Sequence, residues 1–190
     1  MQTSKLIDQI VSFNYPYLLA GDEQSKQTII QNIAAKYPSK LMMRRTLNKN
    51  IVYNIRGNEK TIYEPLLPFD LKTLVDSILV IDCDCKVSEE VEGFIMPLIC
   101  GARHFDFIVI FTITNLHGQA FIREALNDFM MLNVILSTNP QNEKVVKSLQ
   151  TYKCPPKALS KISNEMMSVL RSTSHKYMMI TQSEGIRTFN

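Results

Sequence analysis

Gly21, Ser25, Lys26 and Thr28 follow an apolar run in the stretch YPYLLAGDEQSKQT, and residue types in that order suggest phosphate chemistry. A phosphate-cradling loop of the form Gly-x-x-x-x-Gly-Lys-Ser/Thr lets backbone N–H groups wrap an anion while the lysine neutralises it. Without a gap, Gly21 and Thr28 fit, Lys26 stands where the second glycine belongs, and Gln27 stands where the lysine belongs. Shifting by one restores Lys26 but shortens the loop and puts Ser25 in the glycine's place. Either alignment damages the nest, because a Cβ crowds backbone that must approach phosphate closely. The bland alternative is a strand-to-helix turn that binds nothing. Two further apolar runs, ILVIDCDC and IVIFTITN, end in polar residues. Asp82 and Asp84 in the first are candidates to hold magnesium, and a polar end to the second could position water.

These residues depend on the elements that carry them. Leu6, Ile7, Ile10 and Val11 predict an opening helix, YPYLLAG a strand, and Ile29, Ile30, Ile33, Ala34 and Tyr37 a second helix stopped by Pro38. KLMMR and NIVYNI read as short strands, RGNEKTIYEPLLPFD as a connection, and LKTLVDS as a half-buried helix. SILVIDCDC and FDFIVIFTITN are continuous aliphatic runs of the kind covered on both faces of a sheet. Between them Ser88 can cap a helix with Val91, Phe94, Ile95, Leu98 and Ile99 on its apolar face, kinked or stopped early at Pro97. A short helix around GQAFIREALND, a strand FMMLNVILST, two helices after Pro140 and a closing strand KYMMIT complete the chain. Buried strands alternating with amphipathic helices predict an α/β three-layer fold, a mainly parallel central sheet flanked by helices.

The length of 190 residues suits a single domain spanning 1–190, with composition typical of a globular chain and a formal charge of +3. That charge permits nucleic acid without indicating it. The opening segment lacks a basic region followed by a long apolar core, and no apolar run approaches a membrane span, so we expect an intracellular, non-membrane protein. Cys83, Cys85, Cys100 and Cys154 show no disulfide-framework spacing.

Taken together, NYPYLLAGDEQSKQTII, ILVIDCDC, CGARHFDFIVIFTITNL, FIREALNDFMMLNVILSTNPQN and HKYMMITQSEGIRTFN resemble the genome-packaging ATPases of poxviruses and related large DNA viruses. Those are P-loop NTPases of the FtsK and HerA class. Arg103-His104 before a buried strand, with Arg123 after it, is the most specific part of the likeness. The resemblance implies a RecA/FtsK-like fold, a Walker A place at Gly21–Thr28, a magnesium-binding Asp82, a sensor position at Thr114 beside Asn115, and an arginine finger at Arg123. It also implies ATP and magnesium as cofactors, if the loop still binds them. The implied partners are DNA and a homo-oligomer or an assembly with a related ATPase or viral proteins, in the host cytoplasm or the virion. The departures lie at the catalytic positions: no intact glycine nest, Cys83 where the family carries an acid, and Thr114 where it carries glutamine. The expectation is therefore a structural or regulatory relative with little or no ATP hydrolysis. A divergent active motor using Lys26, Thr28, Asp82 and Asp84, or an α/β interaction module that binds no nucleotide, are the alternatives.

Arg44, Arg45, Lys49, Arg56 and Lys60 form a basic stretch that suits DNA phosphates or a solvated edge equally. Cys83, Cys85, Cys100 and His104 lack zinc-finger spacing, nothing in the sequence orients Cys or His as a nucleophile, and the cysteines read as buried small hydrophobes. The paired methionines read as core filling.

Overall fold

The computed structural model describes residues 3–13, 15–48, 50, 52–56, 59–85, 87, 89–116, 133–151, 156–171, 176–181 and 185–190. Helix α1 (Thr3–Ser12) precedes strand β1 (Tyr17–Ala20) and helix α2 (Glu23–Lys36). Three strands follow, β2 (Leu41–Thr46), β3 (Val52–Arg56) and β4 (Glu59–Pro65), then a single 3-10 turn at Leu71–Leu74 and strand β5 (Ser77–Asp82). Helix α3 (Glu89–His104) leads to β6 (Ile108–Ile113), and β7 (Asn133–Ser137) to helices α4 (Glu143–Thr151) and α5 (Pro156–Arg171). Strands β8 (Tyr177–Thr181) and β9 (Gly185–Phe189) end the chain.

The strands order as β3-β4-β2-β5-β6-β1-β7-β8-β9. From β4 to β7 neighbours run parallel, whereas β3, β8 and β9 are antiparallel additions at the two sides. Period-two alternation divides the core. Leu18, Leu79, Ile81, Val109, Phe111, Val134 and Leu136 face α3, α4 and α5 through Ile95, Leu98, Val146 and Leu170. Tyr17, Leu19, Ile78, Val80, Ile108, Ile110 and Ile135 face α1 and α2 through Leu6, Ile10, Ile29 and Ile33. This two-sided burial makes an α/β domain of three layers and explains why the central strands read as unbroken aliphatic runs. No helix among the described residues is long and apolar enough to cross a membrane.

Several expectations change. The supposed connection at 56–70 contains β4, whose Thr61-Ile62-Tyr63 core was hidden between turn residues; Pro65 is tolerated because it is the strand's last residue. LKTLVDS makes only the 3-10 turn, because Val75 takes an extended ψ of 131° and Asp76 a φ of 58°. Helix α3 does not stop at Pro97 but runs on to His104. KYMMIT is not the last strand, since β9 pairs along it. The Ser88 cap and the GQAFIREALND helix lie outside the described residues.

Candidate functional site

The carboxyl ends of β1, β5, β6 and β7 meet along one edge of the sheet, where open α/β sheets bind ligands. The turn after β1 contains only Gly21 and Asp22 before α2 begins. Gly21 takes a φ of +102°, and its N–H donates to Ile113 O at 3.0 Å, extending the β1–β6 ladder. Asp22 caps α2: its Oδ1 accepts from Ser25 N–H at 2.8 Å. Its other carboxylate oxygen accepts from Ser137 Oγ at 2.6 Å and Asn142 Nδ2 at 3.4 Å, and its N–H donates to Asn142 Oδ1 at 3.1 Å. The N–H groups of Asp22 and Ser25 are thus engaged by side-chain oxygens of the chain itself, and that of Gly21 by a backbone carbonyl.

Ser25 and Lys26 lie within the first turns of α2, and Lys26 N–H already donates to Asp22 O at 3.2 Å. The Lys26 side chain is 2% exposed. Its Nζ lies 3.3 Å from Asp84 Oδ2, 2.9 Å from Glu23 Oε2 and 2.9 Å from Thr114 Oγ1. Asp84 in turn accepts from Thr114 N–H at 2.6 Å and from its hydroxyl at 2.7 Å. A buried ammonium requires such partners, and here they come from α2, the end of β5 and the end of β6. Asp84 reaches the site because the β5 ladder continues one residue further, through Cys83 N–H to Thr112 O at 2.9 Å, and Asp84 N–H then turns onto Asp82 Oδ1 at 3.3 Å.

Thr28 turns its hydroxyl back onto Gln24 O at 2.8 Å, away from the other site residues. Gln27 is buried on the α2 face: its Nε2 donates to Glu23 and to Tyr63 OH, and its Oε1 lies 3.4 Å from Arg44. Arg44 also lies over the Tyr63 ring at 5.9 Å, and Arg45 pairs with Glu64 at 2.7 Å. Both arginines are engaged within the domain. Lys49 and Arg123 lie outside the described residues, and His104 is an exposed helix end packed edge-on to Phe105.

A two-residue turn gives no glycine nest, Asp84 faces an ammonium, and no group of three or more His, Cys, Asp or Glu that could hold a metal ion occurs among the described residues. Among the described residues, Glu23 and Asp84 pair with Lys26 directly, and Asp82 lies close enough to feel its charge. Burial pushes the Cys83 thiol well above its ordinary range and raises Cys85 as well, so neither is an activated nucleophile.

The two structural aspartates titrate in opposite senses. Burial raises the Asp82 carboxyl, reinforced by the Asp84 charge and only partly offset by the Asp84 N–H bond. Burial would also raise Asp22, but hydrogen bonds from Ser137, Ser25 and Asn142 outweigh it and hold that group below the usual carboxylate range. Ionised Asp22 therefore stabilises the fold above its unfolded pKa, and this is lost as pH falls through its lowered folded pKa. Ionised Asp82 costs stability at neutral pH, and acidification through its raised folded pKa removes that cost. Asp82→Asn is expected to raise the melting temperature at pH 7, the gain vanishing once the parent's Asp82 is protonated; thermal melts across pH measure it.

Asp22, Glu23, Ser137 and Asn142 went unnoticed as site residues. An Asp-Glu pair after glycine does carry an N-cap signal, but nothing in the sequence marks Asn142 as its partner. No protein-family model, curated protein or solved structure matches the chain.

Proposed function

We propose that the chain is a degenerate P-loop domain of the viral DNA-packaging ATPase type, a structural or regulatory component with little or no ATP hydrolysis. The reading is supported most by Lys26: this lysine of the loop is buried and ion-paired with Asp84 and Glu23. The position of this cluster also supports it. The strand bearing Thr114 lies between the strand that leads to Lys26 and the strand that leads to Asp84, so the three places such a nucleotidase requires come together. On this reading an internal cation and an internal carboxylate, Lys26 and Asp84, stand where an active relative would hold phosphate and metal. The domain would then contribute its shape to an assembly with a related ATPase or with viral proteins. DNA contact through Arg44 and Arg45 would require them to leave Tyr63 and Glu64.

The convergence of Lys26, Asp84 and Thr114 also favours a second reading, a divergent active motor. Turnover of ATP with magnesium separates the two. We expect phosphate release no faster than from Asp82→Ala; robust hydrolysis abolished by that substitution would establish the motor instead.

A further inference from the structure

Strands β3 and β4 form a ribbon paired from Val52 opposite Tyr63 to Arg56 opposite Glu59. Its ladder to the main sheet among the described residues is short: Arg45 opposite Glu64 and Thr46 opposite Pro65. A two-stranded ribbon is marginally stable by itself, so its position depends on what anchors it. Among the described side chains of β4, Tyr63 alone is buried, in the cluster that contains Ile29, Ile33, Ile78 and Val80. The neighbouring Arg45–Glu64 pair is exposed on the Glu64 side and adds little.

The polar end of that anchor leads back to Lys26. Tyr63 OH accepts from Gln27 Nε2 at 2.9 Å, and the same amide nitrogen donates to Glu23 Oε1 at 2.8 Å. The other carboxylate oxygen of Glu23 lies 2.9 Å from Lys26 Nζ. Gln27 and Tyr63 are buried, so turning the amide over would set its oxygen against a carboxylate and its N–H groups against Arg44. Glu23 thus fixes the direction of the amide. Lys26 in turn fixes Glu23, whose side chain is otherwise partly in water. One carboxylate therefore joins the strand-end cluster to the ribbon.

We propose that the β3–β4 ribbon is a strap held on the α2 face by Tyr63, and that Glu23 and Gln27 make its release conditional on the ion pair at Lys26. Gln27 is the positioning residue, since its amide carries the orientation of Glu23 to the Tyr63 hydroxyl. A group that draws Lys26 away from Glu23 loosens the hold on Tyr63 and raises the population of released ribbon. By linkage, whatever holds the ribbon down strengthens the ion pair. The device needs no nucleotide and is independent of whether the cluster turns over ATP.

Native-state amide hydrogen exchange of the full chain tests this, read at residues 52–56 and 60–63 against β1 and β6. The expected result is that ribbon amides exchange by local opening, insensitive to low denaturant. Glu23→Ala and Lys26→Met should each quicken them about fivefold, the weight of one hydrogen bond. In a Tyr63→Phe background the ring stays and the relay ends, so ribbon exchange is already faster and neither substitution adds to it. Glu23→Ala leaves Lys26 paired with Asp84, so it carries the test should Lys26→Met not fold. Ribbon amides that exchange only by global unfolding overturn the strap. Unchanged ribbon rates in these variants, or equal acceleration with and without the Tyr63 hydroxyl, overturn the relay, because an uncoupled cluster leaves local opening of the ribbon untouched.

Discussion

Lys26→Met is expected to lower the unfolding free energy by about 2–3 kcal/mol, measured by denaturant titration at neutral pH. Methionine fills nearly the same volume, so the loss reports charge rather than a cavity. Without the ammonium, Glu23, Asp82 and Asp84 face one another around the end of α2, and Thr114 Oγ1 loses the donor it holds at 2.9 Å. The figure lies below what breaking a fully buried pair costs because Asp84 and Glu23 keep 33% and 45% of their side chains in water. Asp84→Asn in the Lys26→Met background should recover part of the loss, since it removes a carboxylate and keeps an acceptor for Thr114. Opposite-signed single and double effects of this kind define a coupling that a double-mutant cycle extracts. A Lys26→Met protein within about 0.5 kcal/mol of the parent would mean that the pair behaves like an exposed surface bridge. The internal-cation account of the site would then fail.

Gly21→Ala is expected to cost about 3 kcal/mol, by two causes that can be separated. A φ of +102° strains any residue with a Cβ. That Cβ would also stand 2.3 Å from Asn142 Oδ1 and 2.6 Å from its Cγ. Asn142 cannot move aside cheaply: it is buried, and its Nδ2 donates to Ser137 O at 3.0 Å and Ser137 Oγ at 2.7 Å. In an Asn142→Ala background the collision is gone and only backbone strain remains. The cost of Gly21→Ala should then fall to about 1 kcal/mol. An unchanged cost in the two backgrounds would show that the contact with Asn142 contributes nothing, and that the two turns are not interlocked as described.

Both predictions concern residues whose partners are distant in sequence, and this is where sequence reading was weakest. Gly21 reads from the sequence as the first glycine of a phosphate nest, whereas the structure uses it at positive φ in a two-residue turn. Loop length decides between those outcomes, and it depends on where α2 starts. Asp22 sets that start by capping Ser25, a local signal present in the sequence and overlooked beside the more familiar lysine. Asp84 stands in a bend beyond the end of β5, and the Cys83 N–H bond to Thr112 O carries the ladder to within one residue of it. Strand β4 was lost because Gly57, Asn58 and Pro65 bracket its apolar core, and punctuation of that kind outweighs a short alternating run in any local reading.

The sequence by itself determined the layers. Unbroken aliphatic runs at 77–82 and 108–113 can only be strands covered on both faces, and helical spacing at 29–33, 91–99 and 145–149 supplies the covers. It also determined that the usual phosphate-binding residues are out of register. Only the tertiary structure decided what occupies their place. The distant partners of Lys26 and Asp22 come from the ends of β5, β6 and β7 and just beyond them, 58 to 120 residues away, and no local periodicity records which strand ends become neighbours. Strand order sets those encounters, and it gathers Lys26, Asp84 and Thr114 at one sheet edge into an internal ion pair.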